Sequence, residues 1–75
     1  NNEKFNIIFA DPPYRFLLKD YLEIIHIVRD NGILEEGGEL IIEHSSNISF
    51  IDKYKEVDER NYGSSSLSFF KKASL

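Results

Sequence analysis

The chain has 75 residues, a formal net charge of −4 and no cysteine. This length allows one small domain at most, and the lack of cysteine excludes disulfides and thiolate metal sites. The two histidines are too few for a structural metal site, so we predict no bound metal. The excess of acidic over basic side chains, 13 against 9, argues against a free-standing nucleic-acid binder, which would concentrate lysine and arginine.

Neither a membrane span nor a signal peptide is predicted from these 75 residues. No stretch approaches the roughly 20 apolar residues of a membrane span, and the first residues lack the layout of a signal peptide. We therefore expect a soluble, cytoplasmic protein that does not contact a membrane. The chain starts with Asn1 and enters a strand almost at once, which predicts a piece of a longer protein.

The first half of the chain predicts a strand followed by a helix. Residues 5–9 form a nearly continuous apolar run, as in a central strand that is buried on both faces of a parallel sheet. Residues 16–29 then carry apolar side chains at helical spacing, with a polar stripe opposite that includes His26. We expect this helix to end at Asn31-Gly32 and a second turn to follow at Gly37-Gly38.

The second half predicts one more buried strand and a hairpin. Residues 40–42 are apolar and lead into Glu43 and His44, so strand, helix and strand make one right-handed βαβ crossover. The two strands should be parallel, with their carboxyl ends at the same edge of the sheet. Residues 45–50 read as a loop, and residues 54–60 and 67–72 read as an antiparallel hairpin around a turn at 61–64. The predicted fold class is α/β.

The most informative motif is Asp11-Pro12-Pro13-Tyr14, which directly follows the first strand. Proline donates no backbone hydrogen bond and keeps the residue before it extended, so Asp11 and Pro12 should leave carbonyl groups free at the strand end. A planar substrate with an exocyclic amino group needs hydrogen-bond acceptors and an aromatic face, which Asp11, a carbonyl and Tyr14 can supply. The motif indicates amino-methyl transfer; by itself it also fits a rigid turn.

The order of these elements resembles the C-terminal half of the RsmD-like methyltransferases. Those are class I enzymes that use S-adenosylmethionine to methylate the exocyclic amino group of a guanine in 16S ribosomal RNA. The segments that carry the resemblance are 5–9 (FNIIF), 11–14 (DPPY), 34–38 (LEEGG), 42–44 (IEH), 60–63 (RNYG) and 67–70 (LSFF). The resemblance implies that residues 1–75 form part of a Rossmann-like sheet, from its fourth strand to its last hairpin.

The resemblance also implies roles for individual residues. Asp11, Pro12, Pro13 and Tyr14 would be catalytic, with the target base stacked on Tyr14, and Ala10 and Asp11 would border S-adenosylmethionine. The glycine-rich loop that makes most cofactor contacts in such folds has no counterpart here, because Gly37-Gly38 follows a helix and precedes a strand. We therefore expect the isolated chain to bind the cofactor weakly or not at all and to be inactive. The implied partner is ribosomal RNA or the small ribosomal subunit.

Three further residues are candidates for substrate binding: Glu43, His44 and Tyr62. Glu43 and His44 end the second buried strand. For each of them, contact with the substrate and capping of the following loop are both open interpretations. Tyr62 precedes a glycine, so it fits hairpin packing as well as substrate contact.

Two other functions remain open from the sequence. DNA adenine amino-methyltransferases share the DPPY box. The alternative from a different functional class is a non-catalytic fragment. It would associate with itself through the exposed edge of its first strand.

Overall fold

The computed structural model describes residues 3–75 and contains one mixed four-stranded sheet with a helix on one face. The strands lie in the order β1-β2-β4-β3. The elements in chain order are β1 (Phe5–Ala10), α1 (Leu18–Asp30), β2 (Leu34–Ser45), β3 (Asp58–Tyr62), β4 (Ser65–Lys71) and a short 3-10 helix (Lys72–Ser74). Strands β1 and β2 are parallel, and the β2–β4 and β3–β4 pairs are antiparallel. The prediction of a βαβ unit followed by an antiparallel hairpin is confirmed.

Helix α1 begins two residues later than predicted and buries the expected stripe. Its first turn is closed by the Asp20 carboxylate, which accepts a hydrogen bond from the Leu17 amide at 2.9 Å. At the other end the Asn31 side chain donates to the Ile27 carbonyl at 2.8 Å, and Gly32 takes a positive φ of 58°. The buried side chains of the helix are Tyr21, Ile25 and Val28. His26 is exposed on the polar stripe.

The predicted turn at Gly37-Gly38 is wrong. Both glycines lie inside β2, which runs without interruption from Leu34 to Ser45. The register with β1 shifts there, because Phe5 pairs with Leu34 but Ile7 pairs with Glu39. Gly37 has a φ of 79°, and a Cβ on Gly38 would lie 2.8 Å from the Glu35 carbonyl oxygen. The glycine pair therefore forms a bulge in a continuous strand, since only glycine fits both positions without strain.

The first hairpin strand begins later than predicted. The sequence indicated a strand over 54–60, whereas β3 spans Asp58–Tyr62 and the turn falls at Gly63 and Ser64. Residues 50–57 form turns instead, in which the Tyr54 amide donates to the Phe50 carbonyl at 2.8 Å and the Val57 amide to the Tyr54 carbonyl at 3.1 Å. These turns bury Phe50 and Val57 in the core. Burial of the apolar side chains outweighs the strand pattern of this segment.

The core lies between α1 and one face of the sheet. Phe50 is at its centre, with its ring 4.9 Å from His44, 5.3 Å from Phe70 and 5.8 Å from Tyr21 between centroids, all edge-to-face. The buried apolar side chains are Tyr21, Ile25, Val28, Leu34, Leu40, Ile42, Phe50, Val57 and Phe70.

Strand β1 lies at the edge of this sheet, although its sequence predicted a central strand. It pairs with β2 on one side, and Phe5, Ile7 and Phe9 are largely exposed. Within residues 3–75, no helix is long and apolar enough to cross a membrane.

Candidate active site

The DPPY loop starts where β1 ends. Ala10 is the last residue of β1, and residues 11–13 have no regular structure. The turn after the loop is closed by a hydrogen bond of 3.0 Å from the Phe16 amide to the Pro13 carbonyl. The Pro12 carbonyl takes no part in this bond. Asp11 is exposed. The loop thus presents a carboxylate to solvent at the end of the strand.

Tyr14 connects this loop to the distant hairpin. Its hydroxyl donates a hydrogen bond to the backbone carbonyl of Ser64, 2.5 Å away, while 59% of the residue remains exposed. The side chains of Ser64 and Ser65 lower the pKa of Tyr14 below its usual 10.0, because their hydroxyls can stabilise the phenolate. The ring is therefore held at its hydroxyl end and open along its sides, as an aromatic surface for stacking has to be.

The carboxyl ends of β1 and β2 meet at one edge, as predicted. Ala10, the last residue of β1, pairs with Ile42, so Asp11 and Glu43 directly follow two paired residues. Glu43 is half-buried. Its negative charge raises the pKa of Tyr14, but by less than the serine side chains lower it. The end of the hairpin lies next to this edge, since Ser45 pairs with Ser65. The structure thus brings the predicted residues Asp11, Tyr14 and Glu43 to one edge of the sheet.

His44 lies in the core. It is only 2% exposed; its Nδ1 is 2.8 Å from the Ser45 carbonyl oxygen and its Nε2 is 2.6 Å from the Ser68 hydroxyl. A carbonyl can only accept, so Nδ1 carries a proton. The structure does not support a direct substrate contact for His44, because both ring nitrogens are occupied and the ring is covered. The residue fixes the end of β2 against β4 instead.

Tyr62 lies at the end of β3 and is 59% exposed. It is two residues from Ser64, the residue that accepts the hydrogen bond from Tyr14. Its position leaves it accessible to a ligand at this edge, and its contact with substrate stays a prediction.

Three features of the site were not predicted from the sequence. Tyr21 lies fully buried in α1, and its hydroxyl has no hydrogen-bond partner within residues 3–75. Burial raises the pKa of Tyr21, and the charges of Tyr14 and Asp11 raise it further. The second feature is the Ser64 carbonyl, which accepts the hydrogen bond from Tyr14. The third is the Glu59 carboxylate, which accepts a hydrogen bond from the Phe50 amide at 2.6 Å. Backbone partners leave no sequence signal, whereas Tyr21 was visible only as a core position.

Potential metal ligands do not cluster within residues 3–75. Among the residues that the structure describes, no group of three or more histidine, cysteine, aspartate or glutamate side chains could hold a metal ion.

The sequence profile of one protein family matches residues 1–71. The family is described as conserved hypothetical protein 95, and it corresponds to the RsmD-like family that the motifs predict. The chain belongs to this family. No curated protein matches the chain significantly.

Solved structures related to this RsmD-like chain share its fold. A hypothetical protein of Thermus thermophilus is 25% identical, with a TM-score of 0.69 over 89% of this chain and 35% of its own. A Haemophilus influenzae protein provisionally named a methylase is 21% identical, with a TM-score of 0.72 over 96% of this chain and 45% of its own. An Escherichia coli protein provisionally named a methyltransferase is 24% identical, with a TM-score of 0.65 over 93% and 38%. The chain thus spans less than half the length of these three structures.

Proposed function

We propose that residues 1–75 form the C-terminal, catalytic half of an S-adenosylmethionine-dependent methyltransferase domain. In the complete enzyme, the acceptor would be the exocyclic amino group of a guanine in 16S ribosomal RNA, free or in the small ribosomal subunit. Membership in the RsmD-like family supports this proposal, as do the names of the Haemophilus and Escherichia relatives. The RNA and the guanine rest on the sequence resemblance.

The observation that carries the proposal is the geometry of Tyr14. Its ring is anchored through the hydroxyl to Ser64 and exposed beside the end of β1, where Asp11 also faces solvent. A base flipped out of RNA could stack on this ring, and flipping costs a few kcal/mol that stacking and hydrogen bonds offset. Glu43 and Tyr62 flank the same edge and are proposed to contact the nucleotide.

The chemistry requires hydrogen-bond acceptors close to the target amine. The amino nitrogen of guanine is a poor nucleophile, because its lone pair is delocalised into the ring. Acceptors on its two hydrogens, which we assign to the Asp11 carboxylate and the Pro12 carbonyl, would raise the electron density on nitrogen. Transfer would form the bond from this nitrogen to the methyl carbon, break the bond from that carbon to the sulfonium sulfur of the donor, which leaves as a neutral thioether, and release one proton to solvent. Positioning contributes more than proton abstraction in this scheme.

S-Adenosylmethionine, when bound, supplies an electrophilic methyl group. We propose that one side of this ligand borders the end of β1, where Asp11 is exposed and Ala10 is the last residue of the strand. The sequence has no glycine-rich loop after a strand that leads into a helix, which is where such folds bind most of the cofactor. We therefore propose that this chain binds the cofactor weakly and needs the other half of the domain for activity.

The test is transfer of a labelled methyl group from S-adenosylmethionine by the complete enzyme. Small-subunit ribosomal RNA, small-subunit particles and DNA are offered separately, and the methylated nucleosides are identified. Methylguanosine in RNA would support the proposal. Methyladenine in DNA would favour the other amino-methyltransferase class, and no transfer to any acceptor would contradict both.

A further inference from the structure

The hydroxyl of Tyr21 is buried and unpartnered beside the candidate active site. The residue is 0% exposed, and its hydroxyl oxygen has no hydrogen-bond partner within residues 3–75. Buried hydroxyls in folded proteins nearly always have a partner, because burial removes the water that would otherwise bind them. A phenylalanine at this position would fill the same space without an unpaired polar group. The packing of the core therefore does not explain why this ring carries a hydroxyl.

A short path of contacts leads from Tyr21 to the hydroxyl of Tyr14. The rings of Tyr21 and His44 pack edge-to-face, with 5.9 Å between their centroids. Nδ1 of His44 donates a hydrogen bond to the Ser45 carbonyl at 2.8 Å. Ser45 is the last residue of β2, and it pairs with Ser65, which directly follows the residue that accepts the hydrogen bond from Tyr14. The path thus ends at the hydroxyl of Tyr14.

The two tyrosine hydroxyls also interact electrostatically. Burial raises the pKa of Tyr21, and the negative charges of Tyr14 and Asp11 raise it further, so the Tyr21 hydroxyl lies on the side of the DPPY loop. The hydroxyl of Tyr14 donates its proton to the Ser64 carbonyl, and its oxygen keeps lone pairs that can accept a hydrogen bond. A donor without an acceptor therefore lies near an oxygen that can accept.

We propose that Tyr21 is a positioning residue for the methyl transfer proposed above, so this inference rests on the proposed function. When a base stacks on Tyr14, the ring of Tyr14 moves toward α1, and its oxygen accepts a hydrogen bond from the Tyr21 hydroxyl. Residues 11–13 have no regular structure, which allows this movement. The result is a chain of hydrogen bonds from Tyr21 through Tyr14 to Ser64, in which each bond strengthens the other. Tyr21 touches neither the base nor the methyl donor and acts only through Tyr14.

The unpartnered hydroxyl then favours the substrate complex over the free enzyme. In the free enzyme it destabilises the fold, because a buried donor has no acceptor. In the complex the new hydrogen bond removes this cost, and the free energy gained contributes to the binding of the substrate and of the transition state. A tyrosine with a structural role alone could be replaced by phenylalanine without any effect on transfer.

A double-mutant cycle in the complete enzyme tests this inference. The parent, Tyr21→Phe, Tyr14→Phe and the double variant are compared in labelled-methyl transfer to small-subunit particles, and each is unfolded in urea. We expect Tyr21→Phe to be at least as stable as the parent and to lose about fivefold in kcat/KM, because the substrate complex lacks one hydrogen bond. In the Tyr14→Phe background the same change should have no further effect, because the accepting oxygen is gone.

Tyr54→Phe is the matched control, because Tyr54 is a partly buried tyrosine whose ring packs against Phe70 with 5.5 Å between centroids. It should leave kcat/KM unchanged.

The outcomes separate this inference from the proposed function. A parent enzyme that transfers no methyl group would overturn the proposed function and this inference with it. An active parent together with a fully active Tyr21→Phe variant would overturn the inference alone. Losses that multiply in the double variant would overturn it too, because Tyr21 would then act independently of Tyr14.

Discussion

The hydroxyl of Tyr14 donates a hydrogen bond to the backbone carbonyl of Ser64, 50 positions away in the sequence. This bond ties the loop after β1 to the turn between β3 and β4. The position of the aromatic ring therefore depends on the hairpin as well as on its own loop. Changes in the turn should affect any function of Tyr14 without touching the DPPY box.

Tyr14→Phe and Tyr14→Ala should have different effects on transfer by the complete enzyme. Phenylalanine keeps the stacking surface and loses the bond to Ser64, so we expect a loss of up to about tenfold in kcat/KM. Alanine removes the stacking surface as well, so we expect a loss of about a hundredfold or more. Both variants should keep the circular dichroism spectrum of the parent. Equal losses would show that the hydroxyl, and not the ring, carries the function.

Asp11→Ala should lower transfer by two or more orders of magnitude, because it removes the acceptor that we propose orients the amine in the transition state. Asp11 is exposed, so the free energy of unfolding should change little. Asp52→Ala, at another exposed aspartate, is the matched control and should leave transfer unchanged. Full activity of Asp11→Ala would remove Asp11 from the mechanism.

His44→Ala should destabilise the chain by about 2–4 kcal/mol, because it opens a cavity beside Phe50 and leaves the Ser68 hydroxyl without its imidazole partner. His26→Ala is the control at an exposed histidine and should change the free energy of unfolding by less than about 0.5 kcal/mol. Urea unfolding of both variants measures the difference. A His44→Ala chain as stable as the parent would contradict the structural role assigned to His44.

Tyr21→Phe should stabilise the chain by about 1 kcal/mol, since it removes a buried hydroxyl that has no partner within residues 3–75. Urea unfolding at fixed ionic strength is the measurement. Tyr54→Phe serves as the comparison, because Tyr54 is only partly buried. A loss of stability in Tyr21→Phe would indicate a bound water or another group that satisfies the hydroxyl.

Much of the fold follows from patterns that are local in the sequence. The helical spacing around Tyr21 and Ile25 predicted α1, and the apolar runs before Asp11 and Glu43 predicted two parallel strands. These patterns succeed because they reflect which side chains must leave water. Gly37-Gly38 misled the prediction, because a positive φ suits a bulge as well as a turn, and only pairing with β1 decides between them.

The sequence by itself determined the family, the order of the elements and the location of the DPPY loop at a strand end, because motif, spacing and hydrophobic period are properties of neighbouring residues. Only the tertiary structure decided that Ser64 holds Tyr14, that His44 is enclosed and that Phe9 is open. Those outcomes depend on which distant segments pack together. A backbone carbonyl looks the same at every position in a sequence, so its partner is defined by the folded chain alone.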